Sequence, residues 1–187
     1  MKRLSLLCCL YLMAVLAHGQ TAGSYSSGSR IYIVRHAEKY TGKDAGRDPI
    51  LVAAGLQRSG DLVRFLADKK IKRIYVTQFR RSWMTADSMR IQLGTDTVHY
   101  KADTLCDDLL EKITANRDFN NSILIIGHSN TLPKIIRKLG IAGYPQTDIP
   151  DNEYDNIFLV RKKGRKLVVK KYKYGQPSVA GETLPMR

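Results

Sequence analysis

Ile31-Tyr32-Ile33-Val34-Arg35-His36-Ala37-Glu38-Lys39 is the stretch that decides the fold. Four apolar, β-favouring residues run without interruption and stop at a guanidinium and an imidazole. Such a run reads as a buried strand. It delivers Arg35 and His36 to its carboxyl end, where open α/β sheets bind their ligands. A second run, Ile123-Leu124-Ile125-Ile126, finishes the same way in Gly127-His128-Ser129. Two strands that end in histidine, one with an arginine before it, point to a site for an anion.

Working outward from these strands, helical spacing of Leu56, Val63, Leu66 and Ala67 marks a helix over 53–68. Ile74, Tyr75 and Val76 mark a strand over 71–77. A helix over 80–93 stops at Gly94, a short strand covers 97–100, and a helix over 103–116 opens on acidic residues that suit its positive end. Pro133 sits in the first turn of a helix over 131–139. Residues 156–160 and 167–174 read as an antiparallel hairpin around Lys163-Gly164, and the polar stretch 44–49 as a loop overhanging the site. Strands alternating with helices imply a mostly parallel sheet covered on both faces. The expected class is α/β, a three-layer α/β/α sandwich with a mostly parallel central sheet and a C-terminal antiparallel hairpin.

Three motifs follow one another in a telling order: Arg35-His36-Ala37, Arg81-Ser82-Trp83-Met84-Thr85-Ala86 and Gly127-His128-Ser129. Together they resemble the histidine phosphatase superfamily, the phosphoglycerate mutase-like fold. That family carries an Arg-His-Gly motif after its first strand, an arginine ahead of a Thr-Ala pair on a helix, and a second histidine after a later strand. Ala37 stands where the family usually has Gly. The resemblance runs from around Arg30 to around Lys173, and the chain looks like a small, minimal member. It implies the same three-layer sandwich.

The chain has 187 residues with 43% apolar and 26% charged, the proportions of one soluble globular domain. Lys2 and Arg3, the apolar run Leu4 to Ala17 and the small residues of Ala17-His18-Gly19 form a signal peptide pattern. The expected division is a signal peptide over 1–19, a flexible leader over 20–29 and the domain over 30–187. An uncleaved anchor is the weaker reading, because the run is short for a membrane span. The expected location is extracytoplasmic, periplasmic or secreted, with no stable membrane insertion after cleavage. Cys8 and Cys9 lack the context of a lipoprotein cleavage site. Cys106 alone remains in the domain, so no internal disulfide forms, and a buried structural role is expected for it. No metal-ligand spacing is present, and no cofactor is implied. The net charge is +14, and many of the cations lie between Arg161 and Lys173. They read as a solvated, charge-protected edge hairpin. No motif that reads nucleic acid accompanies them.

The resemblance implies a phosphate-transfer site. His36 is the nucleophile that forms a phosphohistidine. Arg35 and Arg81 clamp the phosphoryl oxygens, since the planar guanidinium fork suits phosphate. His128 is the fourth phosphate ligand, stabilising the transition state. Arg80 falls out of the family spacing and goes to the surface or rim. Ser129 and Asn130 are helix caps or anion contacts. Thr77 orients pocket groups, and Tyr154 and Asp155 are rim candidates.

The proton donor stays open. In one branch of the family an Asp directly follows the second histidine, and here that position is Ser129. In the other a glutamate lies beyond the clamp arginine, the region of Asp103, Asp107, Asp108 and Glu111. Asp107 is the selected acid, with Asp108 as its alternative, and Glu38 is a further candidate. Without an acid, phosphoramidates and anhydrides fit better than alkyl phosphates. Only 46 residues separate Arg81 from His128, so the pocket should be shallow and open. The expected activity is hydrolysis of phosphomonoesters, phosphoramidates or anhydrides. The substrate is a phosphorylated small molecule or a surface glycolipid. A catalytically silent phosphate- or polyanion-binding module and a phosphomutase are the competing readings.

Overall fold

The computed structural model describes residues 25–178. Its strands are β1 (Arg30–Arg35), β2 (Arg73–Thr77), β3 (Asp96–Tyr100), β4 (Ser122–Gly127), β5 (Asn156–Lys163) and β6 (Lys166–Lys173). Its helices are α1 (Ala53–Leu66), α2 (Arg80–Leu93), α3 (Asp107–Ala115) and α4 (Leu132–Lys138). The strands form one sheet in the order β3-β2-β4-β1-β5-β6. The first four are parallel, β5 runs antiparallel to β1, and β6 runs antiparallel to β5. This is the expected α/β sandwich.

Side chains alternate across each strand, and here both faces are apolar. Ile31, Ile33, Ile123 and Ile125 pack with Leu109 and Ile113 of α3 and Leu132, Ile135 and Ile136 of α4. Tyr32, Val34, Ile74, Val76, Leu124 and Ile126 pack the other way, with Leu62, Val63 and Leu66 of α1 and Ala86 and Met89 of α2. Each such buried side chain stabilises by about 1.5–3 kcal/mol. Two cores on one sheet explain why β1 and β4 read as unbroken apolar runs.

Several boundaries depart from expectation for visible reasons. Helix α3 begins at Asp107, not 103, because Asp103 Oδ1 accepts from the backbone N–H groups of Leu105 and Cys106 and holds a turn there. Cys106 then takes a left-handed φ of 60°. It is buried, as expected, and burial pushes its thiol up to about 11. Helix α2 closes where Gly94 adopts φ 59°, the left-handed C-terminal stop. The flexible leader expected over 20–29 does not extend to its last residues. Tyr25 is buried, its hydroxyl donates to Leu139 O at 2.8 Å, and its ring packs edge-on against Phe119. The signal peptide expected over 1–19 lies outside the described residues. Among the described residues no helix is long and apolar enough to cross a membrane.

One buried carboxylate ties the sheet's far end. Asp118, fully buried, accepts from Arg73 Nη1, from Tyr75 Oη at 2.7 Å and from Asn121 Nδ2 at 2.9 Å. Asp118→Ala leaves these donors unmatched and should lower unfolding stability by about 3 kcal/mol. Urea denaturation followed by circular dichroism measures this.

Candidate active site

Pairing of β1 with β4 places Arg35 opposite Gly127, so His36 and His128 leave adjacent parallel strands side by side. Their ring centroids are 5.2 Å apart. The register that made each strand legible also brings the two imidazoles together. His36 N–H donates to Gly127 O at 3.0 Å, and Ala37 N–H to Thr85 Oγ1 at 2.9 Å. The Thr85 hydroxyl donates to Arg81 O at 2.7 Å, which fixes the helix carrying Arg81 against the end of β1. Gly55 is needed in α1 because a Cβ there would lie 2.2 Å from the carbonyl oxygen of Glu38.

The cleft at this end has a volume of about 300 Å³ and is lined by Arg35, His36, Lys39, Phe79, Arg81, Ala102, Asp103, Thr104, His128, Ser129, Asn130, Thr131 and Asp151. Arg35 is buried. Its Nη1 donates to Pro150 O at 3.0 Å and Asp151 O at 2.9 Å, and its guanidinium lies 4.2 Å from the Tyr154 ring centre. Part of its fork is thus held by the 150–154 loop, and its Nε is buried without a partner. Arg81 stacks 4.3 Å from the Phe79 ring centre, and both its Nε and Nη1 are buried without a hydrogen bond. Asp48 approaches Arg81 Nη1 only to 3.6 Å. Lys39 brings a further cation with no ion pair among the described residues.

His36 Nδ1 lies 2.8 Å from Ala37 O. A carbonyl only accepts, so Nδ1 carries the proton and Nε2 keeps its lone pair. Burial pushes the His36 pKa down to about 2; the Ala37 bond opposes this, and His128, Arg35 and Arg81 add to it. Burial, then Arg81 and Arg35, push His128 down to about 4. At neutral pH both rings are neutral. His128 Nε2 lies 3.1 Å from Thr77 Oγ1, which is 2.7 Å from Ser82 Oγ. An anion at the guanidinium groups reverses the electrostatic part of these shifts and favours protonated His128.

The structure brings together Arg35, His36, Arg81 and His128, with Thr77 oriented as expected. It does not bring Asp107, which is exposed and accepts from Lys138 Nζ at 3.0 Å. Asp108 accepts from Lys101 N–H at 2.6 Å and Lys112 Nζ at 2.8 Å, which hold its carboxyl below the usual range. Glu38 is gripped by Arg58 Nε at 2.8 and 2.9 Å. Neither lines the cleft. Of the sequence candidates for the acid, Asp103 does. Ser129 and Asn130 line the cleft but do not cap α4, which begins after Thr131. Asp155 turns to Lys173 Nζ at 2.7 Å, whereas Tyr154 packs on Arg35 with its ring 6.2 Å from His36. Lys39, Phe79 and Thr104 were not singled out in the sequence. Lys39, three residues after His36, had that proximity as its signal; Phe79 and Thr104 had none.

Fold and site define an α/β protein with a two-histidine, two-arginine anion cleft at the carboxyl ends of its parallel strands. Residues 31–105 match the family described as histidine phosphatase superfamily (branch 1). No curated protein matches the sequence. Among solved structures, the protein histidine phosphatase SixA complexed with tungstate aligns at TM-score 0.58 and 17% identity, over 77% of this chain and 96% of that one. A SixA protein from Agrobacterium tumefaciens aligns at 0.55 and 19%, over 80% and 99%. The alpha-ribazole phosphatase from Shigella flexneri aligns at 0.57 and 13%, over 82% and 99%. At these identities the likeness is one of fold.

Both histidines have folded-state pKa values below the unfolded value of about 6.5. Below that value the unfolded chain binds protons that the folded one refuses, so stability is lost as pH falls. Each histidine should contribute a slope of about 1.4 kcal/mol per pH unit between pH 6 and 4. His128→Gln should remove about one proton from this slope, measured by urea denaturation across the range.

Proposed function

We propose that the protein is a phosphatase that transfers a phosphoryl group to His36 Nε2 and then to water. The observation that carries this is the set of buried, unpartnered guanidinium donors, Arg35 Nε with Arg81 Nε and Nη1, beside an imidazole whose Nε2 is unprotonated. Unmatched buried donors of this kind are costly, and a phosphoryl group with three oxygens matches them. The match of residues 31–105 to the histidine phosphatase superfamily supports the phosphatase class.

In the first step the Nε2 lone pair attacks phosphorus and the bond to the leaving group breaks. Arg35, Arg81 and a protonated His128 neutralise the charge on the equatorial oxygens. The Nδ1–H bond to Ala37 O supports the positive charge that develops on the His36 ring. In the second step water attacks the phosphohistidine, inorganic phosphate leaves, and Nε2 recovers its lone pair. Asp103 is the candidate to protonate the leaving group and to take the proton from water. Its Oδ1 is engaged with backbone N–H groups, which leaves Oδ2 for this exchange. The open cleft disfavours a mutase, which must retain its intermediate away from water.

The substrate class we favour is a phosphorylated small molecule, in line with the substrate named for the alpha-ribazole phosphatase of the same fold. None of the three structures named above is described as acting on a glycolipid. We also propose an extracytoplasmic location, supported by the signal pattern over 1–19.

Incubation with an aryl phosphate followed by an alkaline quench should give a phosphate adduct by intact mass, acid-labile and absent in His36→Ala. Absence of both adduct and phosphate release would sink the reading. Arg81→Ala should lower kcat/KM on aryl phosphate by about 10²–10³-fold, the scale of losing one charge-stabilising donor. Asp103→Asn should lower turnover of alkyl phosphates by about 10²-fold or more while sparing aryl phosphates and phosphoramidates, whose leaving groups need little protonation. Equal loss on both classes would remove Asp103 from the role.

A further inference from the structure

The end of the sheet opposite the cleft gathers cations that have no ion pair among the described residues. Arg30 begins β1, Lys70 and Lys72 precede β2, and Arg117 precedes β4. The β5–β6 turn adds Lys162, Lys163, Arg165 and Lys166, because Arg161 pairs with Arg30 in the antiparallel register. All eight are exposed, and none has an ion pair among the described residues. The carboxylates at that end, Asp68, Asp96 and Asp118, are already paired with Lys69 and Arg73. Acidic residues gather at the other end instead, in the loops around the cleft: Asp44, Asp48, Asp103, Asp148, Asp151 and Glu153.

We infer that this basic pole docks on a bilayer surface rich in anionic phospholipid headgroups, with the cleft facing away from it. Clustered exposed lysines and arginines are attracted to such a surface with little demand for shape. Two exposed aliphatic side chains, Ile91 and Leu93, stand at the C-terminal end of α2, which leads into the start of β3 at this same pole. Basic residues with a few exposed aliphatics suit the headgroup boundary. No exposed aromatic accompanies them, and single-stranded nucleic acid favours aromatic platforms. The chain also enters the fold here. Tyr25 O accepts from Lys162 Nζ at 3.2 Å, and the apolar run Leu4 to Ala17 ends eight residues ahead of Tyr25 in the sequence.

Co-sedimentation of the purified protein with vesicles tests this. Binding to phosphatidylglycerol-containing vesicles is expected, with none to phosphatidylcholine alone, and it should fade as salt is raised. Reversal of the turn charges in Lys162→Glu, Lys163→Glu, Arg165→Glu and Lys166→Glu should weaken partitioning by about tenfold or more. Lys70→Asn with Arg117→Asn should weaken it from the other side of the pole, since asparagine tolerates the φ of 51° and 55° found there. Unchanged thermal melting and unchanged aryl phosphate turnover in both variants would separate docking from folding and from catalysis. Salt-resistant binding that both variants retain, or equal binding to neutral vesicles, would mean insertion of the apolar segment alone and overturn the inference. So would preference for a polynucleotide over the vesicles at matched ionic strength.

Discussion

Everything at the cleft depends on holding two guanidinium groups and two imidazoles together without a carboxylate to share their charge. Asp48 comes near Arg81 but not within hydrogen-bonding distance, and Asp151, which touches Arg35, is itself 95% exposed. Solvent screens a pair of that kind until little is left. The protein meets the constraint in two ways. Both imidazoles are held neutral, first by burial. The arginines are steadied by neutral groups: backbone carbonyls and Tyr154 for Arg35, and the Phe79 face for Arg81. What remains unmet are hydrogen-bond donors, and an incoming anion meets them.

That arrangement is inherited from the sheet. Parallel register between β1 and β4 sets the two histidines abreast, and β2, next to β4, supplies Thr77 to orient the second. The two cores lock this register, since a slip by one residue would exchange the side chains facing α1 and α2 with those facing α3 and α4. The close approach at Gly55 sets the loop after His36 just as firmly. The core therefore acts on the chemistry directly, by fixing which atoms of the two rings face the cleft.

The sequence was most legible where one local rule governs. β4 and α2 have the expected boundaries because an unbroken apolar run and a terminal glycine each act alone. Arg35, His36, Arg81 and His128 were legible because they sit at element ends with fixed spacing. The acid was not. Asp103, Asp107 and Asp108 are equivalent as letters, and only the turn at Cys106 decides which one faces the cleft. Phe79 was hidden, and Tyr154 was read only as a rim candidate, for a different reason. Their value lies in packing on a guanidinium, and for Tyr154 that partner is more than a hundred residues away. The end of the leader was misjudged because Tyr25, amid Ser and Gly, finds its partners at Phe119 and Leu139.

The polarity of charge along the strands joins these observations. A cation-rich cleft would be a weak discriminator if the whole surface were equally basic, because anions would be drawn everywhere. Here six carboxylates stand in the loops around the cleft, and eight exposed cations without an ion pair among the described residues collect at the far pole. An anion approaching the cleft end therefore meets a rim that is partly acidic and a floor that is strongly basic. A single compact phosphoryl group passes the rim, because its charge is met by donors arranged to fit it. The same distribution that orients the molecule on an anionic surface thus narrows what reaches His36.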